Sequence, residues 1–303
     1  MTDAFGLPDP TPDTVVITVS DVPIAGLSLA DSSPTMAGQA VHFTTTITAG
    51  SNVTYTWDFG DGTPVAGGGS TATHTYQRAG LYLTVVTASN GAGTATATTI
   101  SSVAIAVPLA PRQGSSLVYT DSQGLTTTVD VPHGAMTRTA LLIYTPLFSP
   151  THPLPAGKQF ANHAFQVDVL PWYFLFVPPC PHNVPIGDWM GTSAARALPG
   201  RSSAKHGPAA TVQSFFGPYP ASLLTRSAPE LSLQKPVTIT VYYSDDDVAG
   251  LDESALQIVY WTGSAWDDVV NTCTPPSTYI RDLDANVISV VICHLTEFDL
   301  ISE

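Results

Sequence analysis

Tyr55-Thr56-Trp57-Asp58-Phe59-Gly60-Asp61-Gly62 is the stretch whose reading decides the fold. Tyr55, Trp57 and Phe59 fall at alternate positions, so in a strand their rings project from one face. Three aromatic rings on one face make a core, and Trp57, with the largest area to bury, is the expected anchor. Gly60-Asp61-Gly62 then ends the strand, glycine supplying the positive φ that a tight turn requires. Asp58 and Asp61 are placed to accept backbone N–H groups as Asx turns do. The sharper alternative is a Ca2+ site at Asp58 and Asp61, where two carboxylates would need further oxygen ligands.

The alternation extends on both sides. Val41, Phe43, Thr45 and Ile47 form one set, and Leu81, Leu83 and Val85 another, each predicted to share a face. Turn residues intervene at 49–52, 60–62, 67–69 and 90–93. Several short strands at near-regular spacing predict a β-sandwich over residues 22–107. Together with His74-Thr75-Tyr76, Gly80-Leu81-Tyr82 and Val86-Thr87-Ala88-Ser89-Asn90, the opening octapeptide resembles the PKD domain, an immunoglobulin-like sandwich of surface proteins. The resemblance runs through 22–107. It implies a spacer, adhesive or carbohydrate-associated module without catalysis.

Composition agrees with an all-β protein built of two tandem β-sandwich domains. The 303 residues fit two domains by length. Only 11 % are charged, against about 25 % in ordinary globular chains. Threonine supplies much of the polar surface, in runs such as Thr44-Thr45-Thr46 and Thr126-Thr127-Thr128, and its β-branch suits half-exposed strands. The net charge is −14, and no Lys or Arg precedes Arg78. Such a field repels phosphate backbones, so nucleic acid is excluded as a partner. No apolar run approaches the roughly 20 residues of a membrane span. The partners expected are a protein or a glycan at the cell surface.

Residues 1–21 read as a linker followed by the last strand of a preceding module. The strand pattern at 14–20 followed by Val22-Pro23-Ile24 parallels that at 98–105 followed by Val107-Pro108-Leu109. The first residues have neither the basic nor the apolar region of a signal peptide. The expectation is therefore a fragment of an extracellular or cell-surface protein.

Residues 108–303 read as a second unit. Val129-Asp130-Val131-Pro132-His133-Gly134-Ala135-Met136 leads into Ala140-Leu141-Leu142-Ile143-Tyr144. Later come the apolar run 235–243, the acidic turn Ser244-Asp245-Asp246-Asp247, Leu251-Asp252-Glu253 and the segment 260–266 with Trp261 and Trp266. This order resembles the ZU5 and GAIN-like sandwiches, and implies a second β-sandwich that joins or displays. Residues 171–230 interrupt it as a long irregular insertion with four of the ten basic residues. They read as loose structure, as an incorrectly translated stretch, or as a binding insertion whose Trp172, Tyr173, Phe174, Trp189, Phe215 and Phe216 would meet glycan or protein. Of the three cysteines, Cys180, Cys273 and Cys293, the last two flank a predicted hairpin. They form either a disulfide or two buried thiols.

One constellation carries chemistry. Cys293-His294-Leu295-Thr296 resembles the GPS motif of self-cleaving GAIN domains. The resemblance implies that His294 takes the Thr296 hydroxyl proton and that the oxygen attacks the Leu295 carbonyl. Water would then split the resulting ester. The chain departs from the motif at Ile258 and Ile292, where the family carries cysteine. No paired-histidine or Cys-x-x-Cys metal spacing, phosphate loop or Gly-x-Ser-x-Gly elbow occurs, so no cofactor and no hydrolase chemistry is expected. The reading is a non-catalytic surface module, with single cleavage at Leu295–Thr296 or carbohydrate binding as alternatives.

Overall fold

A computed structural model describes residues 20–171 and 233–302. The expected preceding strand, Cys180 and the aromatics of the 171–230 insertion lie outside the described residues.

Eighteen strands and two short 3-10 helices make up the regular structure of the described residues. In chain order the strands are β1 (Ser28–Asp31), β2 (Thr35–Met36), β3 (Ala40–Thr46), β4 (Thr54–Asp58), β5 (Ala66–Gly68) and β6 (Thr71–Thr75). They continue with β7 (Gly80–Asn90), β8 (Gly93–Leu109), β9 (Ser115–Thr120), β10 (Thr126–Val131), β11 (Ala140–Leu147) and β12 (Gln159–Pro171). The last six are β13 (Val237–Tyr242), β14 (Gln257–Trp261), β15 (Trp266–Asp268), β16 (Tyr279–Asp282), β17 (Val287–Ile292) and β18 (Glu297–Ser302). The 3-10 helices, Glu253–Ala255 and Val269–Thr272, are capped by the Asp252 and Asp268 side chains. Packing divides the chain into two compact units that alternate along the sequence.

Of the described residues, the first unit takes 20–30, 44–72 and 84–99. Here β4 pairs antiparallel with β5 and with β7, Trp57 lying opposite Val86 and Tyr55 opposite Ala88. Tyr55, Trp57 and Phe59 are all buried, as the alternation requires. Trp57 is 1 % exposed, its indole Nε1 donates to the Gly69 carbonyl at 3.2 Å, and its ring lies nearly parallel to Phe59. One expectation fails. Gly67 and Gly68 are strand rather than turn, because β5 lends its backbone to β4 and the bend comes after it. In β7 Leu81, Leu83 and Val85 share a face as expected, and it is the less buried one: Thr84, Val86 and Ala88 are buried, while Leu83 is 54 % exposed. The small side chains belong inside because Tyr55 and Trp57 across the strand pair already fill the space.

Of the described residues, the second unit takes 31–43, 73–83, 100–171 and 233–302. Among its described residues one sheet runs β16-β17-β13-β10-β9, every neighbour antiparallel. The other runs β15-β14-β18-β12-β11 and ends on the last part of β8, where Ile105 meets Tyr144 and Leu109 meets Ala140. β8 passes Val107-Pro108 without a break, since the fixed φ of proline is compatible with an extended strand. Alternate residues from both sheets meet in a single core, among them Val129, Ile239 and Val290 from one and Leu142, Phe165 and Phe298 from the other. A face-to-face sandwich results.

The last strand has an unusual position. β18 lies between β12 and β14, and all six of its residues are buried. Phe298 and Leu300 enter the core, and Phe298 stacks on Phe165 with ring centroids 5.5 Å apart. Glu297, Asp299 and Ile301 project from the opposite face by the pleat of the strand.

Trp57→Ala should destabilise the protein by about 3–5 kcal/mol through the cavity it leaves. Urea unfolding followed by circular dichroism would register this as a lower midpoint.

Candidate functional site

The two carboxylates of the opening motif accept hydrogen bonds within turns. Asp58 Oδ1 accepts the Gly60 N–H at 3.0 Å. Asp61 Oδ1 accepts both the Thr63 N–H at 3.1 Å and the Thr63 hydroxyl at 2.7 Å. Gly60 and Gly62 hold φ of 76° and 78°, where a side chain would be strained. Among the described residues no three His, Cys, Asp or Glu side chains converge as a metal ion would require.

The same two-point clasp, one carboxylate taking the N–H and the hydroxyl of one Ser or Thr, recurs through the chain. Asp252 holds Ser254 in this way, and Asp247 holds Ser244 at 2.9 and 2.6 Å. The acidic turn from Ser244 to Asp247 is thus closed by its own hydrogen bonds. A long-range version joins Thr151 to Glu297: the Thr151 N–H donates to Glu297 Oε1 at 2.7 Å and its hydroxyl to Oε2.

Another polar knot ties the start of the described chain to two turns of the first unit. Asp21 accepts from Asn52 Nδ2 at 2.6 Å, from the Ser51 hydroxyl at 3.2 Å and from the Gly91 N–H at 2.7 Å. Asn90 Nδ2 donates to the carbonyls of Val22 and Ser51. A Cβ at Gly91 would come within 2.8 Å of the Asp21 carboxylate, so this close approach requires glycine. The hydrogen bonds from Asn52 and then Gly91 hold the Asp21 carboxyl below the usual carboxylate range. Asn52 and Asn90 read in the sequence only as turn residues, because nothing local marks Asn52's approach to Asp21 or Asn90's to Val22.

At the C-terminal constellation, Cys273 and Cys293 form a disulfide with Cα atoms 5.1 Å apart. Cys273 follows the 3-10 helix Val269–Thr272, and Cys293 follows β17. The Thr272 hydroxyl accepts the Cys293 N–H at 3.1 Å beside this bridge. Ile258 and Ile292, the positions where the resembled motif has cysteine, are both fully buried in the core.

His294 is exposed, and its ring meets Tyr260 edge-on at 6.2 Å. Thr296 points elsewhere. Its hydroxyl donates to the Trp261 carbonyl at 3.2 Å, and its own carbonyl accepts the Val167 N–H at 2.9 Å. No hydrogen bond joins His294 to Thr296 among the described residues. The hydroxyl is directed at an amide carbonyl, which cannot take its proton. Leu295, on the other side of the bond in question, packs against the core.

An aromatic group surrounds this end of the sheet. The His152 ring stacks on Trp261 at 3.8 Å, Trp266 meets Trp261 edge-on at 5.4 Å, and Trp266 Nε1 donates to the Pro153 carbonyl. Tyr279 contacts the same strand pair, its hydroxyl between Asp268 Oδ1 at 2.6 Å and the Ile258 carbonyl at 2.9 Å. Burial, reinforced by the Asp268 carboxylate, raises this phenol well above the ordinary tyrosine range.

Residues 26–103 match the family model of the PKD domain. No curated protein matches the chain.

The Thr296 geometry predicts that the Leu295–Thr296 bond stays intact. Mass spectrometry of the denatured protein should give one full-length species, unchanged apart from the substitution itself in Thr296→Ala. A chain ending at Leu295 would contradict this.

Proposed function

We propose that this chain is a non-catalytic module of a larger secreted or cell-surface protein, serving adhesion, spacing or scaffolding. The observation that carries the reading is the PKD match over residues 26–103, in which Asp58 and Asp61 close turns. In this reading residues 108–303 are a ZU5- or GAIN-like sandwich that joins or displays, and the module works without a cofactor. Its partner is a protein or a glycan at the cell surface. The Cys273–Cys293 bridge supports an oxidising compartment, since such bonds persist outside the reducing cytosol. Self-cleavage forms no part of the reading, because the Thr296 hydroxyl is committed to Trp261. No helix among the described residues is long and apolar enough to cross a membrane.

Protease treatment of intact producing cells tests the proposal. An antibody against residues 26–103 should lose its signal while a cytosolic marker survives. A signal that is protected until the cells are lysed would overturn the reading.

A further inference from the structure

The least satisfied side chain among the described residues is Asp299, in the middle of β18. It is fully buried, and neither carboxylate oxygen has a hydrogen-bond partner. A buried, unpaired carboxylate is costly, and the usual escape is to keep its proton. Its neighbours in the sheet are fixed by register. Asp299 lies opposite Ala164 of β12 and Val259 of β14, and Glu297 lies opposite Gln166. Glu297, 7 % exposed, is the carboxyl that clasps Thr151 and so docks the 148–158 loop on the last strand.

We propose that Asp299, through its strand neighbour Glu297, ties the docking of the 148–158 loop to pH, the loop closed while Asp299 keeps its proton and loosened when Asp299 ionises. Like charges two residues apart on one strand face repel, and burial makes that repulsion stronger than it would be in water. Among the described residues the charged or titratable groups on this face are few, and beyond Val259 lies Asp268 of β15, which accepts from the Tyr279 hydroxyl. β18 itself supplies Glu297, β12 supplies Asp168 beyond Gln166, and the loop supplies His152, whose Nδ1 is 3.5 Å from Glu297 Oε2. β14 contributes Gln257, Val259 and Trp261, none of which titrates. Loosening the loop would also withdraw His152 from the face of Trp261 and Pro153 from the indole of Trp266. Two tryptophans that the loop now engages would become available at the surface.

Stability then moves with pH through proton binding. Burial, and secondarily the Glu297 charge, push the Asp299 carboxyl from 3.8 up to about 8. The folded chain therefore holds a proton that the unfolded chain releases. This contribution is complete below about pH 3.8, declines as pH rises, and is gone above about pH 8. Two other groups titrate lower. Burial brings His163 down to about 4, which removes stability as pH falls from 6.5 toward 4, and burial raises Asp168 to about 6. Among the described residues the interval from about pH 6.5 to 8 therefore belongs to Asp299.

The experiment is thermal and urea unfolding of the full chain from about pH 6.5 to 9. Hydrogen exchange of peptides covering 148–158 accompanies it, corrected for the intrinsic base-catalysed rate. The expected result is an unfolding constant that rises up to about tenfold per pH unit toward pH 8, with faster exchange of 148–158 over the same interval. Asp299→Asn should flatten both. Glu297→Gln removes the neighbouring charge and should move the transition to lower pH. A wild-type protein without pH dependence in this window, or an Asp299→Asn variant that keeps the slope, would overturn the proposal. Should Asp299→Asn not fold, Glu297→Gln decides, an unmoved transition counting against the pair.

Discussion

Insertion of the last strand between β12 and β14 is the constraint on which the second unit depends. β18 is six residues long and wholly buried, and it supplies Phe298 and Leu300 to the core that both sheets share. Without it the β14–β15 pair would be severed from that sheet, and β12 would be an open edge. Its neighbour β12 ends more than a hundred residues earlier in the chain, so the pairing is among the least local in the protein. Contacts of this kind incur loop-closure entropy before they return any stabilisation, which makes them late to form. The Cys273–Cys293 bridge fastens the segment just before β18, and the Thr151–Glu297 clasp fastens its first residue.

Several carboxylates among the described residues are spent on holding the chain together. Carboxylates meet Ser or Thr through the N–H and hydroxyl of one residue at Asp61, Asp247, Asp252 and Glu297. Only 11 % of the residues are charged, so few opposite charges are present to pair. Asp299 is the exception: a carboxyl with neither a hydrogen-bond partner nor solvent.

Much of the first unit was legible in the sequence because its signals are local. Alternating Tyr55, Trp57 and Phe59 followed by a glycine turn fix one strand and its buried face without reference to anything distant. The phase of β7 was not legible, since Leu81, Leu83 and Val85 make as acceptable an inward face as Thr84, Val86 and Ala88. Only the bulk of Trp57 and Tyr55 across the strand pair selects the smaller set. The candidate site shows the same limit. The tripeptide His294-Leu295-Thr296 suggests a reactive hydroxyl, yet where that hydroxyl points depends on Trp261, brought alongside by the β14–β18 pairing. The Asp21 knot and the Asp299 burial were equally hidden, because each depends on chain segments that meet only after folding.

Hydrogen exchange of the peptide spanning 297–302, at a pH of about 6 where Asp299 keeps its proton, tests the central position of the last strand most directly. The structure predicts that these amides exchange among the slowest in the chain, together with those of β12. Exchange as fast as that of exposed turns such as residues 60–62 would place β18 outside the sheet and contradict the account.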